Sequence, residues 1–273
     1  MLEDVLHLLT CPHCTAPLSR EQGSLRCSRG HSFDVARSGY ASLLPGDARL
    51  GSADTADMVA AREAFLGAGH FEPLAEALAH EGQRAWLPEG CLIDLGAGTG
   101  WYLAHMLERQ PGRPGLALDL SKHALRRAAR AHPRIGAVAC DVWGPLPVTG
   151  SAAALVISVF APRNGPEIAR VLRPGGALVV ATPTGRHLAE LVDEFGLLSV
   201  DERKQERLGA SLDEHLDLER RVEREWTLQL TPTDVTNAIG MGPSAHHVTA
   251  QVRGETRRVT ASVTISTYRA GSG

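Results

Sequence analysis

At 273 residues the chain is long enough for one large domain and a small appendage. Hydrophobic residues make up 43% of it, enough for a proper core, yet no apolar run approaches the ~20 residues of a membrane helix. A net charge of −3 argues against indiscriminate nucleic-acid binding, and Met1 to Thr10 lacks the basic start and long apolar run of a signal peptide, so a cytoplasmic protein without membrane contact is expected.

The first 45 residues hold three of the five cysteines, in the pattern Cys11-Pro-His-Cys14 and then Cys27-Ser-Arg-Gly-His31. Two residues separate the first pair, twelve lie between Cys14 and Cys27, and three between Cys27 and His31. In a reducing compartment such knuckles point to metal rather than to disulfides. Three thiolates and one imidazole close a tetrahedral zinc site with no position left for water, so Cys11, Cys14, Cys27 and His31 are expected to hold a structural Zn2+. His13, inside the first knuckle, is the weaker ligand candidate and is expected to be exposed. Cys91 and Cys140 fall at apolar, strand-like positions, where cysteine acts as a small hydrophobe.

Pro45-Gly46-Asp47 opens a polar bridge that runs to Thr55. Asp57 to Ala79 then carries Met58, Ala61, Phe65, Leu74 and Leu78, which predicts two helices broken around Gly67-Ala-Gly69. From Cys91 onward, predicted strands at 91–95, 115–119, 136–140, 153–160 and 176–182 alternate with predicted helices at 100–109, 121–132, 165–172 and 187–196. That alternation predicts an α/β fold with a doubly wound parallel sheet. Glu225–Leu230 and Arg258–Tyr268 alternate in strand fashion and are expected as late antiparallel strands of the same sheet. The chain thus divides into residues 1–45, a helical linker region at 46–84, and an α/β domain at 85–273.

The strand Cys91–Leu95 runs into Asp94-Leu-Gly96-Ala-Gly98-Thr-Gly100. Glycines allow a sharp turn and close approach of the backbone to a ligand. An acid one step before the glycines would repel a pyrophosphate but suits a cation, and S-adenosylmethionine carries both a sulfonium and an ammonium. Asp119 ends the second strand, where it can bind both ribose hydroxyls, and Asp141 ends the third, where it can accept from the adenine amino group. Each acid can equally cap a helix or a turn. After the fourth strand comes Phe160-Ala-Pro-Arg163-Asn164, at the strand end where ligands bind in this fold. Phe160, Arg163 and Asn164 are therefore candidates to face the transferring methyl, with capping of the next helix as the other role for Asn164. No residue stands out as a general base, so the catalytic assignment stays open. Basic groups at Lys122, Arg126, Arg127, Arg130 and Arg134, at Arg203, Lys204 and Arg207, and at Arg220, Arg221 and Arg224 are candidate patches.

Several segments together resemble a known family. The zinc cluster, Gly30-His31-Ser-Phe-Asp34, Gly39-Tyr40, Arg62 with Phe65-Leu66, Gly69-His70-Phe71-Glu72-Pro73-Leu74, Asp94 to Gly100, Phe160 to Asn164 and Met241-Gly-Pro-Ser244 resemble the bacterial 23S rRNA guanine-N1 methyltransferases. Val35-Ala36-Arg37, Ala161-Pro-Arg-Asn164 and Met241 to Ser244 lean towards the Gram-positive branch that includes the tylosin-resistance enzyme. The resemblance covers nearly the whole chain. It implies a Rossmann-like class I methyltransferase domain preceded by a small zinc-binding domain, and an enzyme that methylates N1 of a guanine in a 23S rRNA hairpin near the macrolide site. Cofactor contacts are implied for Phe71, Asp94, Gly96, Gly98, Thr99, Gly100, Asp119, Asp141 and His187. Phe71 stands where tyrosine is usual, so packing by its ring is implied rather than a hydroxyl contact. RNA would be gripped through ribbon residues such as Arg20, Arg26, Arg29 and Arg37. His246 or His247 would lie near the guanine, and removing residues 1–45 would spare cofactor binding. A homodimer is left open. A small-metabolite methyltransferase with a structural ribbon, and a non-catalytic RNA-binding protein, are the other readings.

Overall fold

The computed structural model describes residues 2–46, 53–199, 201, 209, 211–242, 245 and 252–271. A short helix α1 (Leu2–Val5) leads into a three-stranded antiparallel sheet of β1 (Leu18–Glu21), β2 (Ser24–Cys27) and β3 (Ser32–Asp34). After β4 (Tyr40–Ser42) come α2 (Ala56–Gly67) and α3 (Glu72–Arg84), broken where the sequence predicts. Thr55 caps α2 by accepting from the backbone N–H of Met58.

The α/β part follows as β5 (Cys91–Leu95), α4 (Trp101–Glu108), β6 (Gly115–Asp119), α5 (Lys122–Ala131), β7 (Ile135–Ala139), β8 (Ala153–Val159), α6 (Gly165–Val171), β9 (Leu172–Pro183) and α7 (Ala189–Phe195). It ends in β10 (Asp217–Leu230), α8 (Pro232–Gly240) and β11 (Arg257–Arg269). The strand order is β10-β11-β9-β8-β5-β6-β7-β4. Strands β4 to β9 run parallel, and β11 inserts antiparallel between β9 and β10. Every residue of β5, β7 and β8 is buried, as parallel strands covered on both faces must be. The chain moves outward from β5 through β6 to β7 and then returns to β8 on the other side. The crevice at the carboxyl ends of β5 and β8 is therefore the switch point where ligands bind.

The two faces of the sheet are covered differently. Leu103 and Leu107 of α4 and Leu125 and Ala128 of α5 pack on one face together with Phe65, Leu74 and Leu78. Both crossover helices of the β5–β7 half thus lie on the same side, and residues 140–152, which join β7 to β8, form no helix. The opposite face, with Ile93, Leu95, Leu116, Leu118 and Val138, is covered by Leu2, Val5, Leu9, Leu25, Phe33 and Leu43. Here the N-terminal segment takes the place of a crossover helix. Backbone bonds from Thr10 N to Pro147 O (3.0 Å), Thr149 N to Leu8 O (2.8 Å) and Leu43 N to Ala139 O (3.0 Å) stitch it down.

Two features depart from the sequence reading. Tyr40–Ser42 pairs in parallel with Ala137–Ala139 and so extends the large sheet from within the first 45 residues. With three residues and one buried side chain, β4 has no periodicity to read. Strand β10 begins eight positions before the expected Glu225, because Asp217–Glu223, exposed except for the half-buried Val222, becomes strand through its ladder with β11 rather than through burial. The expectation that removing residues 1–45 spares cofactor binding while abolishing rRNA methylation runs against this packing in its first half, since their loss strips one strand and an apolar roof from the sheet that carries the glycine loop. Leu43 is 1% exposed, so Leu43→Ala should cost about 2–5 kcal/mol. Denaturant unfolding followed by the far-ultraviolet signal of the whole chain checks this, and the same transition should carry both the ribbon and the large sheet.

Candidate active site and zinc centre

The four ribbon ligands converge. Cys14 Sγ lies 3.7 Å from Cys27 Sγ, and His31 Nδ1 lies 3.5 Å from Cys11 Sγ and 3.4 Å from Cys27 Sγ. All four donor atoms fall within 4.8 Å of one another. A zinc tetrahedron with bonds of about 2.0–2.3 Å has edges of roughly 3.4–3.8 Å, so the donors fit the ion with no fifth position open. Burial opposes ionisation of Cys27, but the backbone N–H groups of Arg29 and His31 and the His31 ring outweigh it and hold the thiol at about 6. Gly30, at φ +87°, makes the second knuckle turn back on itself. His13 is exposed and stacks at 5.8 Å on Phe33.

At the switch point the glycine loop is shaped by close approach. Gly96 has φ +68°, and a Cβ there would stand 2.6 Å from Cβ of Ala161, so the loop after β5 packs directly on the loop after β8. Gly100, at φ +76°, opens α4, where a Cβ would meet Ala128 Cα at 2.9 Å. Asp94 is 2% exposed, and its Oδ2 has no hydrogen-bond partner among the described residues. Burial, and then the neighbouring Asp119, raises its carboxyl well above the ordinary range. Asp119 accepts from Gly98 N (2.8 Å) and Ser121 N (2.7 Å), so both of its oxygens are fixed while keeping lone pairs for a ligand. Its carboxyl is raised by burial despite those two donors. An orphaned acid beside a loop of left-handed glycines suits a cationic nucleoside such as S-adenosylmethionine. Thr99 is buried in the same loop. Asp141 is exposed and accepts from Trp143 N (3.0 Å) beyond β7.

An aromatic cluster stands beside this cradle. Phe71 is buried, with ring centroids 5.8 Å from His187, 6.2 Å from Phe160, 5.2 Å from Phe65 and 5.7 Å from Trp226. Burial pushes His187 down to about 4, and the Ser262 N–H donates to its Nδ1, which leaves a neutral ring with its proton on Nε2. Phe160 is 41% exposed and holds φ +55°, a left-handed backbone unusual for a bulky residue.

The other candidates of that loop serve the framework. Asn164 caps α6 through Oδ1, and its Nδ2 donates to Trp143 O (2.7 Å) and Gly144 O (3.2 Å), so of the two roles open to it capping is the one observed. Arg163 is buried within electrostatic reach of Tyr268. Several basic patches are spent internally. Arg134 donates to Leu107, Gln110 and Arg113 carbonyls, while Arg127 pairs with Glu63 and Arg220 with Glu81. In the ribbon, Arg20 pairs with Glu3 and Arg26 with Glu21, whereas Arg29 and Arg37 are exposed and in no ion pair among the described residues. Arg203, Lys204, Arg207, Pro243, Ser244, His246 and His247 lie outside the described residues. Asp54 was given no role by the sequence reading, because it lies in a polar stretch without periodicity. Its carbonyl accepts from Ser121 Oγ (2.7 Å) and ties that stretch to the cofactor loop.

Residues 9–49 match the zinc-ribbon family described as the N-terminal part of RlmA, and residues 92–176 match a methyltransferase domain family. The chain is 49% identical to the 23S rRNA (guanine(748)-N(1))-methyltransferase of Streptomyces fradiae, over 90% of this chain and 89% of that one. It is 48% identical to a Micromonospora griseorubida protein named "Putative 23S rRNA (guanine-N(1)-)-methyltransferase", over 98% and 99% of the two chains. Among solved structures, a chain of the complex between the Haloferax volcanii Trm112 methyltransferase activator and a methyltransferase superposes with a TM-score of 0.50 at 21% identity, over 80% of this chain and 98% of that one, which speaks to the fold alone.

Two outcomes follow from this geometry. Cys14→Ala should lose zinc on metal analysis and lower the melting temperature of the whole chain, because the ion staples the roof of the sheet. Asp94→Asn should raise stability at pH 8. Below the ordinary value of 3.8 the carboxyl is protonated in both states, and as pH rises the unfolded chain ionises first, so folded stability falls until the buried group follows. Removing that loss should contribute about 1–3 kcal/mol at pH 8 and little at pH 4, while affinity for S-adenosylmethionine drops at least tenfold. Thermal melts at the two pH values, with a cofactor titration, check both arms.

Proposed function

The chain belongs to the bacterial 23S rRNA (guanine-N1-)-methyltransferases, enzymes that use S-adenosylmethionine and here carry a structural zinc, and we propose that it methylates guanine 748 in a 23S rRNA hairpin beside the macrolide-binding site. The position is taken from the name of the Streptomyces fradiae relative. The observation that carries the reading is the contact between the Asp94–Gly100 loop and the Phe160–Asn164 loop, which brings a cradle for a cationic nucleoside against an exposed aromatic ring. In this division of labour residues 1–45 grip RNA, residues 46–84 roof the cofactor cradle, and residues 85–273 carry the transfer. The setting is the cytoplasm, where the ribosome is, and the outcome is protection against tylosin-type macrolides.

The bound cofactor supplies an electrophilic methyl on its sulfonium. The chain supplies position, which is where most of the rate in such a transfer arises. Asp119 would hold the ribose and Asp141 the adenine. Asp94 and the backbone of Gly96, Gly98, Thr99 and Gly100 would hold the charged amino-acid end, and Phe71 and His187 would wall it off from water. Guanine N1 is hidden in a base pair, so the target must be unpaired or flipped out. Phe160 is the surface on which it stacks. N1 bears a proton that must leave as the methyl arrives, and His187, neutral and with its Nδ1 lone pair taken by the Ser262 N–H, is not placed to accept it. Asn164 and Arg163 hold the loop that presents Phe160. Arg29 and Arg37, unspent in the ribbon, make phosphate contacts.

An N1-methyl group blocks Watson–Crick pairing, so primer extension on 23S rRNA treated with the enzyme should stop at guanine 748. Absence of a stop, or a stop elsewhere, overturns the assignment. Phe160→Ala should reduce turnover on rRNA roughly five- to 150-fold, the equivalent of about 1–3 kcal/mol of base stacking, with cofactor affinity unchanged, and Phe160→Trp should restore it.

A further inference from the structure

Helix α2 belongs to neither the ribbon nor the sheet, yet one of its side chains reaches the glycine loop. A Cβ on Gly98 would stand 3.2 Å from Nη1 of Arg62 and 3.5 Å from its Cδ. The guanidinium pairs with Asp54, and its Nη2 donates to Met241 O (2.9 Å) just beyond α8. Its charge is felt at Asp119, the acid fixed by Gly98 and Ser121, and at the Tyr102 hydroxyl behind the loop. The Asp54 carbonyl is held in turn by Ser121 Oγ. Arg62 therefore sits where the Asp54 segment, α2, the end of α8 and the cofactor loop converge.

The charges around it set a problem that this residue solves. Asp94 and Asp119 give the cradle two buried acids, with Asp54 close by in its pair with Arg62, which suits the sulfonium and ammonium of the cofactor. The same ligand ends in a carboxylate, which those acids would repel. His187 stays neutral and offers no charge to balance it. Arg62 is the cation at the loop, with a planar fork suited to a carboxylate. A guanidinium has five N–H groups, and its contacts to Asp54 and Met241 use two. The side chain is 25% exposed, so donors remain within reach of a ligand.

We propose that Arg62 binds the carboxylate at the amino-acid end of the cofactor, so that helix α2 completes a site otherwise built from the sheet. This rests on the reading of the Asp94–Gly100 loop as the S-adenosylmethionine cradle.

The test compares two nucleosides by calorimetry on the full zinc-loaded chain. S-adenosylhomocysteine carries the carboxylate, and 5′-methylthioadenosine lacks the amino-acid end altogether. Arg62→Met should weaken S-adenosylhomocysteine at least tenfold and leave 5′-methylthioadenosine within twofold of wild type. Arg62→Lys, which keeps the charge and loses the fork, should fall between wild type and Arg62→Met for the first ligand and match wild type for the second. Equal weakening of both nucleosides would show that Arg62 only straps the helices together and would overturn the proposal, as would no change in either. Should Arg62→Met fail to fold, the Arg62→Lys pair of titrations decides by the same criterion. Wild-type protein that bound neither nucleoside would instead overturn the reading of the cradle itself.

Discussion

The bare apolar face of the β5–β7 half sheet is the constraint on which the rest depends. With α4 and α5 on one side and no helix between β7 and β8, Ile93, Leu95, Leu116, Leu118 and Val138 would face water. A parallel sheet cannot leave a face open. The chain covers it with a segment of about 45 residues, too short to fold on a core of its own. Zinc supplies what that segment lacks, so the energy of a metal site far from the chemistry becomes part of the stability of the catalytic sheet. The same arrangement fixes the ribbon against the active site. Under the proposed function, RNA gripped by the ribbon is presented at a set distance from the switch point.

Electrostatics at the switch point follow a second logic. Asp94, buried beside Asp119, has an oxygen without a partner among the described residues and is raised by burial and that neighbour, while Asp119 is raised by its own burial and by Asp54. In a structural core such a pair would be selected against, since each unsatisfied buried group costs about 1–3 kcal/mol. A cationic ligand reverses that cost, so the destabilisation of the empty cradle is the source of its affinity. The aromatic cluster beside it works the other way. Phe71 and a neutral His187 pack beneath Phe160 without adding charge, and Phe160 keeps an exposed face, the kind of surface that the proposed stacking of a flipped base uses.

Much of this was legible in the sequence where the signal is local. Four zinc ligands within 21 residues, and an acid followed by alternating glycines after an apolar strand, carry their chemistry in their spacing. Helices α2 and α3 showed as periodicity and a glycine break. What stayed hidden depends on long-range pairing. Tyr40–Ser42 is a strand only because β7 lies beside it, and Asp217–Glu223 only because β11 does. Asn164 could be read as a cap or as a group facing the transferring methyl until the loop carrying Trp143 came within hydrogen-bonding distance of its amide. Arg62 appeared as part of a family pattern without a role, because the loop it reaches is 36 positions away at Gly98.

How such a chain holds an anionic polymer with a net charge of −3 is answered by where its cations are spent. Arg134 ties three carbonyls together, and Arg20, Arg26, Arg127 and Arg220 are each paired with an acid of the same chain. Each cation spent in this way is one fewer for phosphates, which lowers non-specific attraction, since that scales with the number of phosphates neutralised. On the function proposed above, recognition rests on features that an ordinary duplex lacks, namely the shape of a hairpin against the ribbon and an unpaired guanine on Phe160. Weak general attraction and strong capture of one extruded base are complementary. An enzyme that clung to every phosphate would spend its time on the bulk of the ribosome, while one that relies on stacking is retained only where its substrate base is free.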